Sequence, residues 1–578
     1  MNDTIWLTLR RLRTPLIAMI VIYSLSVFGL LLIPGQDADG NPYTLKILDA
    51  AYFVAIMATT IGFGEVPFDF TDAQRLYAYL VVFPNVVAWL YSIGTILALF
   101  IDPQFKAVMH RGRFAQRVRW LSEPFYIVCG FGSTGSMITA GLGRRGISAS
   151  VLEGDESVIH HKSLDDDFAQ TPALHADVTD RRLLEVAGLN NPLCKGVIAI
   201  TNEDHANLTV AITVKLLRPE LPVFARSETE RTSRNMASFG TDYIIDPYAI
   251  FAERMFLALS SPIKYLLQDW LISVPGSKLR DTINPPSGRW IIAGLGRFGS
   301  RVAESMLKAD QIITVIDVHA ERLSGFDNVV QGRGTEAHTL EEAGVDSACG
   351  IIAGTDDDID NLSIVMTARE LNPKIFVVVR QESQPNDELF DASGADLIAR
   401  RGFIVARRVL AVATTPLLQA FLEYVVRNDD SFAQKAIARC EDVLHGRAPN
   451  LWTVEITDEL AEGVKTAVEN GVEVRLNHVN HNTRSENTER LDCVCLVIER
   501  GASRKFLPSD EQDILAGDRL LFAGRGPAQR EVLWTLSSPD ALLAYATGRH
   551  LPSGSVGRWI QNWQEQRQSA ASKPEKRT

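Results

Sequence analysis

The chain of 578 residues has room for about four domains of ordinary size, and a composition of 46% hydrophobic and 22% charged residues excludes a disordered tail protein, a collagen-like fibre and a many-helix transporter. Lys and Arg number 58 against 70 Asp and Glu, and the resulting net charge of -12 argues against a nucleic-acid binder, because phosphate contacts need a basic surface. The six scattered cysteines suit a reducing compartment rather than a disulfide framework or a tetra-thiolate zinc site, and Cys493-x-Cys495 falls in an alternating apolar run that reads as the buried face of a strand.

Residues 1–13 are a basic N-terminal segment with Arg10, Arg11 and Arg13. Uncharged runs from Leu16 to Ile33 and from Leu76 to Ile101 follow, each long enough at ~1.5 Å per helical residue to cross a hydrocarbon core of about 30 Å. They predict transmembrane helices over 14–34 and 75–101. Basic residues precede the first span and fill the linker 102–122 after the second, which predicts a multi-pass protein of the plasma (inner) membrane with both termini in the cytoplasm. Within the second span, Pro84 deletes a backbone hydrogen bond and predicts a kink, and Gly94 is a competing hinge.

Between the spans, the apolar stretch Ala50 to Ile61 is too short to cross and too hydrophobic for an outside loop. It leads into Thr59-Thr60-Ile61-Gly62-Phe63-Gly64-Glu65, where Gly-x-Gly permits backbone conformations closed to other residues. Non-helical backbone at membrane depth is tolerated where it lines a water-filled path, so 45–65 predicts a helix that enters, turns back and borders a pore. One such loop cannot encircle a pore. A ring of four copies would set four rows of carbonyls around one axis, in place of the hydration shell of a cation.

Thr60-Ile61-Gly62-Phe63-Gly64-Glu65 resembles the potassium-channel signature T-V-G-Y-G-D, set between two helices as in the two-span prokaryotic channels. The resemblance implies a homotetramer in the lipid bilayer with K+ as permeant ion, a selectivity filter of Thr60, Ile61, Gly62, Phe63 and Gly64, and filter support from Thr59 and Glu65. Phe63 lacks the hydroxyl of the usual Tyr, and Glu65 is one methylene longer than the usual Asp; both bear on filter stability more than on selectivity.

Beyond the linker, short apolar strands alternate with amphipathic stretches, the pattern of βαβ units. Phe125 to Cys129 runs into Gly130-Phe131-Gly132-Ser133-Thr134-Gly135, and Trp290 to Ala293 into Gly294-Leu295-Gly296-Arg297-Phe298-Gly299. Each is followed by a second strand ending in an acid, Glu153 or Asp317. This is a dinucleotide-binding arrangement: glycines admit a pyrophosphate to a helix N-terminus, and the acid accepts hydrogen bonds from ribose hydroxyls. Asn207 answers Asn361, Arg226 answers Arg380 and Gly240 answers Gly394 at one common spacing, so the unit is duplicated. The duplication resembles tandem RCK (regulator of K+ conductance, TrkA-N) domains, which implies a ligand-driven gating ring. The predicted Rossmann-like domains are 123–248 and 288–405, with a helical crossover and linker at 249–287, where 249–271 reads as one amphipathic helix. A helical segment at 406–445, an α+β C-terminal lobe at 449–530 and a polar tail at 531–578 complete the chain.

The third strands differ: Asp177 lies near the first cleft and Arg333 near the second. The acids Glu153 and Asp317 favour NAD(H), ATP or ADP over NADP(H), and Arg333 with Arg297 predicts greater tolerance of phosphate charge in the second cleft. Asp356, Asp357, Asp358 and Asp360 form a candidate Ca2+ or Mg2+ cluster. Asp165-Asp166-Asp167 and His160-His161 read as surface loops. The expected protein is therefore a ligand-gated potassium channel and not an enzyme. The alternatives are a membrane-anchored NAD-dependent oxidoreductase, which lacks a recognisable hydride-transfer constellation, and a nucleotide-sensing regulator with a closed or non-selective pore.

Overall fold

The computed structural model describes residues 2–63, 66–278, 283–482, 489–538, 541–543 and 545. Gly64 and Glu65 of the expected filter, and the tail beyond residue 545, lie outside them. The chain divides into two compact units after Leu121.

The first unit is helical. The helix Asn2–Leu32 takes in both the basic N-terminal segment and the expected first span without a break. The strands β1 (Gly35–Gln36) and β2 (Pro42–Tyr43) pair antiparallel ahead of the short helix Ile47–Ala58. The helix Asp72–Ile101 starts at a capping box in which Thr71 and Gln74 satisfy each other's backbone N–H groups. It runs unbroken past Pro84 and Gly94. Two helices, Arg13–Leu32 and Asp72–Ile101, are long and apolar enough to cross a membrane, and Ile47–Ala58 is not. Helix Pro103–Arg119 follows.

Polar clips join the two long helices. The Asn85 amide, fully buried one residue past Pro84, donates to Ser26 Oγ at 2.6 Å, Ser92 Oγ donates to the Pro15 carbonyl at 3.1 Å, and Tyr77 OH donates to the Leu25 carbonyl at 2.9 Å. Gly29 makes room for that tyrosine, since a Cβ there would sit 1.9 Å from its oxygen.

The second unit contains two six-stranded parallel sheets. Strands β3 (Phe125–Cys129), β4 (Ser148–Glu153), β5 (Ala173–His175), β6 (Cys194–Ala199), β7 (Val223–Arg226) and β8 (Tyr243–Ile245) lie in the order β5-β4-β3-β6-β7-β8. Strands β9 (Arg289–Ala293), β10 (Ile312–Asp317), β11 (Val329–Gln331), β12 (Gly350–Ala353), β13 (Phe376–Gln381) and β14 (Leu397–Arg400) repeat it as β11-β10-β9-β12-β13-β14. The order reverses at the first strand of each copy, and the crevice at that switch point is where doubly wound sheets bind ligands. The C-terminal lobe is an antiparallel sheet of β15 (Asn450–Glu455), β16 (Cys493–Arg500), β17 (Ser503–Phe506) and β18 (Arg519–Gly524) in the order β15-β18-β16-β17. Cys493 and Cys495 are buried in β16, and burial pushes the Cys493 thiol up to about 12.

The stretch expected as one helix over 249–271 is two, Pro247–Ser260 and Pro262–Ile272, because Ser261 before Pro262 leaves the helical region (φ -152°). Thr415 before Pro416 does the same between Arg401–Thr414 and Pro416–Arg427, a pair bent by 113°. The second crossover helix thus begins at Arg401, inside the span expected for the sheet domain.

Each crossover helix packs on the other copy. Tyr248, Phe251, Ala252 and Met255 of the first complete the core around Trp290, Ile292 and Phe298, whereas Val405, Ala406, Val409 and Val412 of the second complete the core around Tyr126, Val128 and Ile138. The approach is close: a Cβ on Gly402 would lie 2.9 Å from Thr134 Oγ1, and one on Gly141 would lie 2.4 Å from the Leu410 side chain. Gly402→Leu is therefore expected to cost about 1–3 kcal/mol by overpacking. Gly143→Ala, whose Cβ meets nothing within 4 Å, should be neutral or stabilising. Thermal unfolding of the two variants checks this, and equal midpoints would refute the exchange of helices.

Candidate functional site

In the first unit, the segment after Ile47–Ala58 folds back on that helix. The N–H groups of Ile61 and Gly62 both donate to the Ile56 carbonyl, at 3.0 and 3.3 Å, and the Thr59 hydroxyl donates to the Ala55 carbonyl at 2.8 Å. Thr60 (φ 60°) and Gly62 (φ 69°) are left-handed, alternating with Ile61. A β-branched residue at positive φ is a true outlier and is held only where the surroundings impose it. Ile61 and Phe63 are 57% and 74% exposed in a single chain.

In the second unit, the two glycine loops are built alike. Gly130 (φ 104°) and Gly294 (φ 94°) make the turn after the first strand of each sheet, and both face the backbone after the fourth strand too closely for an ordinary side chain. Gly135 and Gly299 hold the helix against the turn, since a Cβ there would fall 2.0 and 1.9 Å from the Gly130 and Gly294 carbonyl oxygens. The middle glycines are different: Gly132 faces open space, and the nearest atom to a Cβ on Gly296 is an Asp356 carboxylate oxygen at 3.9 Å. The helices Ser133–Gly143 and Arg297–Lys308 begin at these loops, with their N–H groups at the mouth of the crevice.

Glu153 and Asp317 brace the loops. Glu153 accepts from the Phe131 N–H and, at 3.0 Å, from that of Asp155; Asp317 accepts from the N–H groups of Leu295 at 2.7 Å and His319 at 2.8 Å. Their remaining lone pairs are what they can offer a ribose. A cavity of about 270 Å³ at the second crevice brings Gly294, Gly296, Asp317, Arg333, Asp356 and Asp360 together. It adds Arg322, which sequence reasoning missed; its Nη1 lies 3.5 Å from Asp317. Asp177, beside the first crevice, accepts from the backbone and hydroxyl of Thr179, and these bonds hold its carboxyl below the usual range.

The comparisons with known proteins agree with this architecture. The Ion channel family matches residues 16–102, and the TrkA-N domain family matches 126–247 and again 290–400. The chain joins an ion channel domain to two TrkA-N domains. It is a membrane protein homologous to archaeal potassium channel proteins. Potassium channel protein 1 of Methanocaldococcus jannaschii is 24% identical over 201 residues, 35% of this chain and 59% of that one, so the chain spans about three fifths of that relative. The GsuK channel is similar over 93% of this chain and 100% of its own, with 16% identity and a TM-score of 0.48. A structure of the GsuK channel bound to NAD is similar over 93% and 100%, with 16% identity and a TM-score of 0.45.

Three expected site residues, all in the first turns of these helices, have side chains engaged outside the crevice. Phe298 is core, 1% exposed and packed edge-on against Tyr248. Thr134 is buried beneath the second crossover helix. Arg297 turns from the crevice to Glu228 of the first TrkA-N domain, at 2.9 Å. The four aspartates do not converge on a cation either. Asp356 pairs with Arg380 at 2.6 Å, Asp357 caps helix Asp358–Leu371, and Asp358 accepts from the N–H groups of Glu382 and Ser383 and from the Asn386 amide. Among the described residues no three His, Cys, Asp or Glu side chains gather as metal ligands.

The contact between the TrkA-N domains is a buried ion cluster. Arg226 with Glu228 ends β7, and Arg380 with Glu382 ends β13. Arg401 joins the two, 3.0 Å from Glu228 and 2.8 Å from Glu382, and Tyr248 lies under Arg380 at 5.0 Å. Burial pushes the Glu228 carboxyl up, but Arg226, Arg401 and Arg297 outweigh it and hold the group below its ordinary range. The repeat itself carried the signal, because Arg226 and Arg380 occupy equivalent positions and each is followed two residues later by Glu.

Proposed function

We propose that the chain is one subunit of a homotetrameric, potassium-selective channel of the plasma membrane, with the TrkA-N domains in the cytoplasm as a nucleotide-responsive gating ring. The observation that carries this reading is the left-handed backbone at Thr60 and Gly62, placed between two helices of spanning length within the ion channel match. Four such segments around an axis would line a filter with the carbonyls of Thr60, Ile61, Gly62 and Phe63 and, by the motif's pattern, Gly64 and Glu65. The basic residues flanking the spans support the orientation. The ion channel match favours conduction over an anchored oxidoreductase.

Both glycine loops fit an adenine nucleotide, because Gly132 and Gly296 leave room where a pyrophosphate would meet a helix N-terminus. NAD(H), ATP or ADP is the proposed ligand class. In the second crevice Arg333 and Arg322 replace Arg297 as the cations near phosphate, and Arg322 beside Asp317 relaxes the discrimination against a 2′-phosphate. A ligand gates only if it binds the open and closed states unequally.

The decisive experiment is K+ against Na+ flux in liposomes holding the full chain, titrated with NAD+, NADH, ATP and ADP. Selective flux that one nucleotide changes is expected. Flux without K+ preference would overturn the filter reading, and indifference to all four would overturn the gating reading. Gly132→Asp and Gly296→Asp, made separately, place a carboxylate on each pyrophosphate path and should each weaken calorimetric nucleotide binding by about tenfold or more at that crevice. Binding unaffected by either change would remove the clefts from consideration.

A further inference from the structure

A cavity of about 520 Å³ opens where the two crossover helices meet, walled by Pro247–Ser260, Pro262–Ile272, Arg401–Thr414 and Pro416–Arg427. No residue of either glycine loop lines it. Its wall holds three half-buried charged side chains, Arg254, Asp269 and Arg407, with exposures of 21, 18 and 19%. Asp269 Oδ1 accepts from Arg254 Nη2 at 2.8 Å and from Arg407 Nη1 at 3.3 Å. Among the described residues no other carboxylate forms an ion pair with either guanidinium. Two cations therefore share one anion.

The other partners of the pair are neutral. Arg254 donates to Tyr265 OH at 3.2 Å, and Arg407 donates to the carbonyls of Asp269 and Ile272 and to Ser273 Oγ. These bonds satisfy N–H groups without cancelling charge. Burial lowers the Arg407 guanidinium from its ordinary value, and Arg254 beside it adds to that against the pull of Asp269. The lining also holds Glu253 and Glu423 with Arg408 and Arg427, two charges of each sign. Arg400 is taken up by Asp391 and Gln381 outside the cavity. Apart from Gln268 and Gln419, the rest of the wall is largely apolar, with Ile250, Phe251, Phe403, Leu422 and Val426. An excess positive charge in a concave apolar wall is the pattern of a site for a small anion with an apolar body.

We infer that this cavity is an effector site for an organic anion carrying an aromatic or aliphatic body, separate from the glycine-loop crevices. The anionic group neutralises the excess guanidinium charge, and the body covers the apolar wall. The occupant touches both exchanged helices at once, so its affinity depends on how the two TrkA-N domains are held together.

The test uses the full chain in lipid nanodiscs with two fluorescent probes of one shape, anilinonaphthalene sulfonate and its uncharged counterpart N-phenylnaphthylamine, each corrected for empty nanodiscs. Wild-type protein should show a saturable site that prefers the sulfonate, and added salt should weaken the sulfonate alone. Arg407→Met leaves a neutral Arg254–Asp269 pair and should weaken the sulfonate by about tenfold or more while sparing the uncharged dye. Asp269→Asn raises the excess charge and should strengthen the sulfonate. The opposite directions separate charge from damage; if Arg407→Met misfolds and loses both dyes, Asp269→Asn and the salt dependence decide. Gly132→Asp combined with Gly296→Asp should leave sulfonate binding unchanged. The inference is overturned if wild-type protein has no saturable site, if it binds both dyes equally, if the two charge variants shift the sulfonate in one direction with the uncharged dye unmoved, or if the double glycine variant abolishes binding.

Discussion

Gly62→Ala is expected to abolish either conduction or the preference for K+ over Na+, while the subunits still assemble. The obstacle is conformational and not steric, because a Cβ on Gly62 would meet nothing within 4 Å, yet its φ of 69° is one that an L-residue adopts at a penalty of roughly 1–2 kcal/mol. In a ring of four the penalty recurs in every subunit, at the point where Ile61 and Gly62 hang from the Ile56 carbonyl. The alternation of backbone conformation begun at Thr60 would then relax toward ordinary backbone. Flux in reconstituted liposomes together with the native mass of the purified protein checks the prediction, and an intact assembly with unchanged selectivity would rule out Gly62 as part of a filter.

Glu228→Gln is expected to destabilise the second unit strongly. Glu228 is 6% exposed at its side chain and faces Arg226, Arg297 and Arg401, so its neutralisation leaves three guanidinium groups with a shared anion removed. Breaking a buried ionic cluster in this way costs about 3–5 kcal/mol, well above the value of an exposed pair. The effect carries a pH signature. Because the folded-state carboxyl is held below its ordinary value, the stabilisation by the wild-type residue is complete above the ordinary glutamate range of about 4.3 and is lost as pH falls through the depressed folded value. Denaturant unfolding of wild type and variant should therefore diverge at neutrality and converge in acid. A difference that persists unchanged at low pH would assign the loss to packing instead.

Much of the architecture was legible in local pattern. Uncharged runs long enough to span, Gly-x-Gly-x-x-Gly between a strand and a helix, and an acid at the end of the next strand each follow from short-range constraints that a side chain carries with it. The backbone roles of Gly130, Gly135, Gly294 and Gly299 match their spacing for the same reason. Pro262 and Pro416 were equally visible as breaks, but amphipathic periodicity across 249–271 conceals a break that leaves the apolar stripe in phase.

Direction and partnership were not legible. Arg297 and Arg333 both read as cations near phosphate, yet Arg333 lines the crevice while Arg297 reaches Glu228 in the other domain. The four aspartates looked like one cluster because they are adjacent in sequence, whereas a helix start sends neighbouring side chains to a salt bridge, a cap and a strand end.

The elements, their duplication and the glycine-loop geometry follow from local pattern alone, since these depend on backbone freedom and on the period of apolar residues. The exchange of the crossover helices between copies, and the sharing of Asp269 by Arg254 and Arg407, arise from contacts between segments far apart in the chain. An apolar face states that it must be covered and not by what, and a charge states its sign and not its partner; both are settled by which surfaces approach most closely, here at Gly402 and Gly141.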